Sequence, residues 1–481
     1  MLQGAGTESA KLLSPRNRVI WVLIAATSFH LAYLFPRGAS LISVYLFALW
    51  QLSRQRTRLQ TMNTGWILTF LIYAPHLAFF WKIFGPAAVA LWLVLGFWTG
   101  LFLSLARFAR ERYGTIAAVL LAPFLWTGLE YFRSELYFLR FSWLNAGYAF
   151  SWTPVLPEFA WLGVYGIGLV LMALAAGLSL LSHKKASIIG LGALAGLALL
   201  TNLPPQTAAK SESPELRVAG IQLEFPAELE VAGFLDQLRA HYPDADLYML
   251  PEYTFQDPVS KRVRDWCRKN GRYLLVGGKE PIAGEQFYNM AYVIGPTGDI
   301  VFTQAKAQPI QFFKDGMPAP RQAVWNSPWG RLGICICYDL SYTRIIDELA
   351  RQGAQAILIP TMDVEPWGRY QHRLHARIAP MRAAEYRVPV FRVASSGVSQ
   401  IVSASGVVAQ TRDFPGQGEM LGGVLLMGPR ARFPLDRWLV WPAVLISGSV
   451  AIWAFWLALC ERKKPRRQSA FREEPVDLAA S

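Results

Sequence analysis

The chain has 481 residues, enough for two or three folded units, and 53% of them are hydrophobic, with 28 Phe and 18 Trp. A mean hydropathy of +0.26 excludes an ordinary water-soluble globular protein, and a formal net charge of +14 has to be located before it is read as a nucleic-acid footprint. The apolar residues are unevenly spread: long uncharged runs up to about Leu203, and another after Arg437, flank a segment of ordinary mixed composition.

In chain order, apolar runs near twenty residues recur and are separated by basic loops, the pattern of membrane spans. Eight are predicted, at roughly 19–35, 38–53, 64–82, 86–107, 114–133, 157–182, 186–203 and 437–460. Lys11, Arg16 and Arg18 precede the first; "RQRTR" (Arg54 to Arg58), "RFARER" (Arg107 to Arg112), "HKK" (His183 to Lys185) and "ERKKPRR" (Glu461 to Arg467) follow the second, fourth, sixth and eighth. With eight spans all of these fall on one side, the cytoplasm, and the mixed segment lies outside. The positive charge is then topology signal, and no nucleic-acid partner is expected. The first span lacks a small-residue cleavage site and reads as an uncleaved anchor. The expected organisation is a membrane domain of seven spans over 1–208, an outer domain over 209–430, and an eighth span with a basic cytoplasmic tail over 431–481.

Within the outer segment, "LRVAGIQL" reads as a strand, "ELEVAGFLDQLRAHY" as a helix, and "DLYMLPE" as a strand ending at Glu252. "SKRVRDWCRKNG" is a glycine-closed helix, "YLLVGG" a strand, and "FYNMAYVIGPTGDIVFTQAK" a hairpin turning at Pro-Thr-Gly-Asp. "GRLGICICYD", the helix "SYTRIIDELARQGA", the strand "AILIP", the helix "QHRLHARIAPMRAAEYR" and the strands "PVFRVAS" and "GVSQIVSASGVVAQT" complete an α/β alternation. No G-x-G-x-x-G opens a helix, since "GLGALAG" (Gly190 to Gly196) lies inside a span, so nothing supports a nucleotide cofactor.

Two of the four cysteines stand in "GICICYDL" (Gly333 to Leu340). Neighbours at i and i+2 of a strand bridge poorly, and no His/Cys group has zinc spacing, so neither a disulfide nor a metal is expected. Cys267, Cys335 and Cys460 read as inert thiols. Cys337 closes an apolar strand just before a helix, where the positive helix end favours thiolate. No histidine stands where a papain-type base would; His372 and His375 lie on a helix. The chain offers instead Glu252 and Lys306, each at the C-terminal end of a strand, where sites of α/β folds gather.

Pro-Glu after a strand, then Lys, then "ICYD" before a helix resembles the Glu-Lys-Cys order of the nitrilase (carbon–nitrogen hydrolase) superfamily, as does the later "MRAAEYRVPVFRVASSGVSQIVSASGVV". Such a domain placed outside, between the seventh and eighth spans, together with the E-x-x-R…W…GY-like loop "LEYFRSELYFLRFSWLNAGYAF" (Leu129 to Phe150), resembles the apolipoprotein N-acyltransferase family. The resemblance implies an αββα sandwich and no cofactor. It also implies a Cys337 thioester formed from a phospholipid acyl donor, with Glu252 moving protons and Lys306 and a backbone N–H near Tyr338 stabilising oxyanions. The acceptor implied is a diacylglyceryl-cysteine amine on an apolipoprotein, at the periplasmic face of a bacterial inner membrane.

Several segments depart from that family. "IQLEFPAELEV" lacks the Asn and Trp after the first strand. "IQFFKDG" replaces "VPFGEY", placing Lys314 and Asp315 near the expected glutamate, and Tyr338-Asp339 stands for Tyr-Glu. "MDVEPWG" stands near N-D-x-W-F-G, with Glu365 as an additional carboxylate. Tyr338, Asp339, Lys314, Asp315 and Glu365 are therefore the secondary candidates for substrate or oxyanion contacts. The alternatives are a membrane-tethered amidase, a divergent N-acyltransferase with another amine acceptor, or an inactive scaffold, the last opposed by an intact triad.

Overall fold

A computed structural model describes residues 12–203, 214–428 and 431–462. Lys11, the tail from Lys463 onward and the positions of both expected domain boundaries fall outside the described residues.

The N-terminal part is helical: α1 (Pro15–Leu34), α2 (Ile42–Leu52), α3 (Arg58–Leu68) running through a π-turn (Thr69–Tyr73) into α4 (Ala74–His76), α5 (Phe79–Phe84), α6 (Ala87–Tyr131), α7 (Leu156–Phe159), α8 (Val164–Gly177) and α9 (His183–Leu200). Four helical stretches of the described residues are long and apolar enough to cross a membrane: Pro15–Leu34, Ala87–Leu136, His183–Leu200 and Asp436–Cys460. A pair bent by 92°, Leu156–Leu162 with Val164–Leu180, makes a fifth candidate.

The 45 residues of α6 would reach about 67 Å as a straight helix. They do not, because Gly114 has φ 84° and ψ 173°, a conformation open essentially to glycine alone. The chain doubles back there, and the rings of Phe102 and Trp126 meet at 5.3 Å and those of Trp98 and Phe132 at 5.6 Å. This one assigned helix thus supplies both of the segments expected at 86–107 and 114–133. The segment expected at 38–53 is a 3₁₀ turn plus the 11-residue α2, and the one expected at 64–82 is broken at Leu77.

The basic residues gather at one end of this bundle. Leu13 N–H donates to Arg54 O at 3.1 Å, Arg107 to Arg56 O at 2.7 Å, Arg58 to Ala454 O at 3.5 Å, and Arg110 lies over the Trp50 ring. At the opposite end Tyr33 donates to Asn145 O and accepts at its own carbonyl, at 2.8 Å, from Arg377 of the α/β domain.

That domain holds two six-stranded sheets. The first has the order β12-β1-β2-β3-β4-β5 (Met420–Leu426, Glu215–Ile221, Leu247–Met249, Tyr273–Pro281, Phe287–Ile294, Ile300–Ala305), the second β11-β10-β9-β8-β7-β6 (Val408–Arg412, Ser399–Val402, Val390–Ala394, Ala356–Thr361, Gly330–Ile334, Val324–Ser327). β1–β2–β3 and β7–β8–β9 run parallel and the outer pairs antiparallel. Leu216, Val218, Met249 and Val293 of the first sheet meet Leu332, Ile334, Leu358 and Phe391 of the second in one core between the sheets. α10 (Glu228–His241) and α11 (Lys261–Asn270) cover the first sheet.

α12 (Thr343–Arg351), α13 (Arg369–Ala376) and α14 (Ile378–Tyr386) cover the second, completing the αββα sandwich. The expected single helix through "QHRLHARIAPMRAAEYR" is thus two. Their outer face is not free: Ile345, Leu349, Leu374, Met381 and Tyr386 share one continuous apolar cluster with Phe29, Leu46, Phe102 and Met172 of the helical bundle. A polar seam runs beside it. Glu385 accepts from Val164 N–H at 2.6 Å, and Asp436, which opens α15 (Asp436–Arg462), accepts from Tyr165 N–H at 3.0 Å. Arg437 pairs with Asp347 at 3.0 Å, and the buried Arg382 with Glu385 at 2.5 Å.

Candidate active site

Three chain reversals build the site. Glu252 lies three residues past β2, in a turn where Tyr253 takes φ 54°, and its backbone crosses β3 so closely that a Cβ on Gly277 would sit 2.5 Å from Glu252 Cα. Lys306 follows β5. Cys337 follows β7 by three residues with φ 53°, a left-handed conformation costing a non-glycine residue roughly 1–2 kcal/mol. On a continuing strand Cys335 and Cys337 would share a face. The turn parts them: Cys335 packs with α12 and the bundle, and Cys337 enters the space between the sheets.

There the carboxylates, the ammonium and the thiol meet away from water. Lys306 Nζ stands 2.8 Å from Glu252 Oε1 and 2.7 Å from Asp315 Oδ2. Asn289 Nδ2 donates to both carboxylates, at 2.7 and 3.0 Å, and Tyr253 hydroxyl donates to Asp315 at 2.8 Å. The Met362 backbone bridges Glu252 and Cys337: its N–H donates to Glu252 Oε2 at 2.7 Å, and its carbonyl lies 3.6 Å from Cys337 Sγ. Lys306 and Cys337 are 0% and 2% exposed.

Burial acts against the Lys306 charge, but Asp315 and Glu252 outweigh it and hold the ammonium well above its ordinary value. Burial, and then the Glu252 carboxylate, push the Cys337 thiol well above the usual thiol range despite Lys306. Cys337 is therefore held toward its thiol form. This corrects the expectation that a helix N-terminus favours thiolate, because Cys337 opens only a short 3₁₀ turn (Cys337–Ser341) and the helix proper starts at Thr343. The Thr343 N–H is moreover spent on Glu135, at 3.1 Å.

Of the secondary candidates, Asp315 joins the cluster. Asp339, expected at the substrate, is fully buried behind it and accepts from Ile336, Ala307 and Gln308 N–H at 3.1, 3.0 and 2.7 Å, clamping the nucleophile turn to the residues after Lys306. Tyr338 faces a pocket. Lys314 does not reach the site: its side chain is 92% exposed, 3.7 Å from the equally exposed Glu285. The Lys314–Asp315 pair is therefore split, since adjacent residues of an extended loop point opposite ways. Glu365 is exposed on a 3₁₀ turn (Glu365–Trp367), its N–H donating to Glu224, and adds no carboxylate to the site.

The sequence reading passed over Asn289 and the buried group behind Met362. Asp363 pairs with Arg392 at 2.5 Å and His375 at 2.8 Å, and its N–H donates to Ser395 Oγ at 3.0 Å. Asn289 lies in a strand otherwise read as apolar, a signal that could have marked it.

Cys337's neighbour Tyr338 lines a pocket with about 850 Å³ of open space. Phe80, Phe84 and Leu95 of the helical bundle, Phe141 of the loop before α7, and Phe313 form its other walls. The same loop is tied to the nucleophile turn, Trp143 Nε1 donating to Ser341 Oγ at 2.9 Å, and the Trp143 ring stacks on His375 at 4.9 Å.

A sandwich of this kind, with a Glu-Lys-Cys cluster between its sheets, is that of a carbon–nitrogen hydrolase domain, and the family model described as "Carbon-nitrogen hydrolase" matches residues 206–418. The model described as "Apolipoprotein N-acyltransferase N-terminal domain" matches residues 20–177. Among similar proteins are the apolipoprotein N-acyltransferases of Haemophilus ducreyi (23% identical, 66% of this chain and 71% of that one) and of Geobacter metallireducens (25%, 73% and 76%). A carbon–nitrogen hydrolase structure from Helicobacter pylori aligns at 16% identity and a TM-score of 0.40, covering 52% of this chain and 96% of that one. The Saccharomyces cerevisiae Nit3 structure aligns at 20% and 0.38, covering 46% and 93%. With both domains matched in order, the chain belongs to the apolipoprotein N-acyltransferase family.

Proposed function

We propose that the protein transfers an acyl chain from a phospholipid, through a Cys337 thioester, to the N-terminal amine of a diacylglyceryl-cysteine on an apolipoprotein. One observation carries this reading: the nucleophile's neighbour Tyr338 is a wall of an apolar pocket built jointly with the membrane-type helices, so the thiol lies where an acyl chain can reach it from a bilayer. Cys337 Sγ attacks the ester carbonyl as Glu252 takes its proton, and Lys306 with a backbone N–H of the nucleophile turn stabilises the tetrahedral oxyanion. The C–O bond then breaks, and Glu252 returns the proton to the leaving lysophospholipid alcohol. In the second half the acceptor amine loses its proton to Glu252, attacks the thioester and releases the thiol, giving ping-pong kinetics.

In this reading the eight helical segments span a bacterial inner membrane, the domains divide at 1–208, 209–430 and 431–481, and the sandwich faces the periplasm. The gathering of Arg54, Arg56, Arg58, Arg107 and Arg110 at the bundle end away from the sandwich supports that orientation. Intact-mass measurement of the purified protein with phospholipid alone should find one acyl adduct. Cys337→Ala should remove the adduct, while Cys335→Ala should retain it at a packing cost of about 1 kcal/mol. Steady release of free fatty acid without an adduct would instead indicate a lipid hydrolase, the outcome expected of a tethered hydrolase of the same superfamily.

A further inference from the structure

The apolar pocket has one cation in its wall. Arg140 lines it beside Tyr338 and Tyr342, and the Arg140 carbonyl accepts from Tyr338 hydroxyl at 3.4 Å. Its guanidinium lies 5.8 Å from the Tyr342 ring centroid, and the Arg344 guanidinium lies 5.6 Å from the same ring. Two like charges thus converge on one tyrosine from different parts of the molecule, Arg140 from the loop after α6 and Arg344 from the start of α12.

Neither has a carboxylate within 4 Å among the described residues, although seventeen such pairs occur elsewhere. Arg140 Nε is buried with no partner, and its Nη1 reaches only the Glu135 carbonyl at 3.4 Å. Arg344 donates to the neutral Gln308 side chain. The nearby Glu135 carboxylate forms no ion pair with either guanidinium: its Oε1 accepts from Thr343 N–H at 3.1 Å and Tyr165 hydroxyl at 2.9 Å, and its Oε2 has no hydrogen-bond partner among the described residues. A pair of guanidinia without ion-pair partners, Arg140 in the wall of an apolar pocket and Arg344 exposed at its rim beside the same tyrosine, fits an anion attached to an apolar chain.

We propose that Arg140 and Arg344 together bind the phosphodiester of the acyl-donor lipid and so fix which donor ester reaches Cys337. The inference rests on the acyl-transfer reading above and adds the chemistry by which the donor is chosen. With the phosphate held at Tyr342, an acyl chain of the same lipid lies along Phe80, Phe84 and Leu95, and its ester falls between the two anchors, next to Tyr338.

The test uses the full-length protein in detergent micelles and two acyl donors with identical chains, phosphatidylglycerol and diacylglycerol, which lacks the phosphate. The readout is the rate of Cys337 adduct formation by intact mass. In the wild type kcat/KM should favour the phospholipid by roughly tenfold to a hundredfold, the scale of one or two charge-assisted contacts. Arg140→Gln with Arg344→Gln should collapse that ratio toward one, mainly through KM, whereas Arg140→Lys should keep most of it. Because the readout is a ratio within one protein sample, partial loss of folded protein does not imitate the result. A wild type that acylates equally from both donors, or a double variant with an unchanged ratio, overturns the phosphate site and leaves the thioester reading standing. No adduct from either donor overturns both. Inorganic phosphate serves as the soluble competitor: inhibition of the phospholipid reaction that is absent with diacylglycerol and lost in Arg140→Gln supports the site, whereas equal inhibition of both donors would place phosphate elsewhere and overturn it.

Discussion

Asp339 illustrates what one buried carboxylate does here. It touches no reacting atom, yet its three backbone donors fix the distance between the Lys306 segment and the Cys337 turn. Burial pushes its carboxyl up to about 6, against the Lys306 charge and those N–H donors. Below that pH the clamp carries a proton and offers fewer acceptors, so adduct formation should fall as pH drops through about 6. Stability should move the other way. The folded-state value lies above the ordinary Asp value of about 3.9, so the folded chain takes up the proton first, and between about pH 6 and 4 acidification favours folding. Adduct rates and melting temperatures on one pH series should therefore diverge, and Asp339→Asn should remove the acid step. A parallel decline of both would assign the loss to another group.

The split of Lys314 from Asp315 gives a second test at this scale. Asp315→Asn removes half of a buried ion-pair network, a change worth about 3–5 kcal/mol, and should slow adduct formation roughly a hundredfold or more. Lys314→Ala removes an exposed pair and should change either half-reaction by less than about twofold. Adduct and transfer rates measured separately decide between this and a role for Lys314 in acceptor transfer. The meeting of Glu252, Lys306 and Cys337 was legible in the sequence because each follows a strand whose apolar run is unmistakable. Asn289, Asp363, Arg392 and His375 were not, because their meaning comes from a fold that brings β4, β8, β9 and α13 together.

Among the elements, the hairpin in α6 depends on a single backbone conformation. Gly114→Ala forces a Cβ into a region that costs about 1–3 kcal/mol, and it should lower the thermal midpoint and loosen the Phe102–Trp126 contact, read as a shift in tryptophan emission. An unchanged midpoint would mean that the turn tolerates another geometry. Most elements of the sandwich were readable from period-two and helical patterns, but two strands were not. Val324–Ser327 is four residues with a single buried tryptophan, and Met420–Leu426 carries Gly422 and Gly423, which weaken any strand signal. Both are recognised only by their partners, β7 and β1. The α2 and α3–α4 segments were legible as apolar runs, while the breaks within them come from packing.

For the whole molecule, the orientation can be checked directly. Reporter fusions near Arg56, Lys184 and Arg467 should read as cytoplasmic, and fusions after Leu203 and at Gly428 as periplasmic. Lys184 and Arg467 on opposite sides would mean an odd number of spans between them and would remove the argument for chemistry on the outer face. The shared apolar cluster also separates the present reading from a tethered amidase. Cutting away the bundle would bare the Ile345–Tyr386 face to water, so the isolated sandwich should aggregate rather than work as a soluble enzyme.

The pairing of β1 with β12 also bears on how the protein is made. Glu215 lies opposite Leu426 and Ile221 opposite Met420, so the first strand of the sandwich has one edge unpaired until nearly the last of the domain has left the ribosome and, in the proposed orientation, crossed the membrane. By then the N-terminal helices that receive α12 and α14 are already made and offer a template for the second sheet. The first sheet has no such template and must hold an open edge through synthesis. Nascent chains arrested before Met420 should therefore be the form that chaperones and proteases, periplasmic ones in the proposed orientation, recognise. α15 begins ten residues after that closing strand ends, so synthesis of the final helix and completion of the sandwich are consecutive events in the same stretch of the chain.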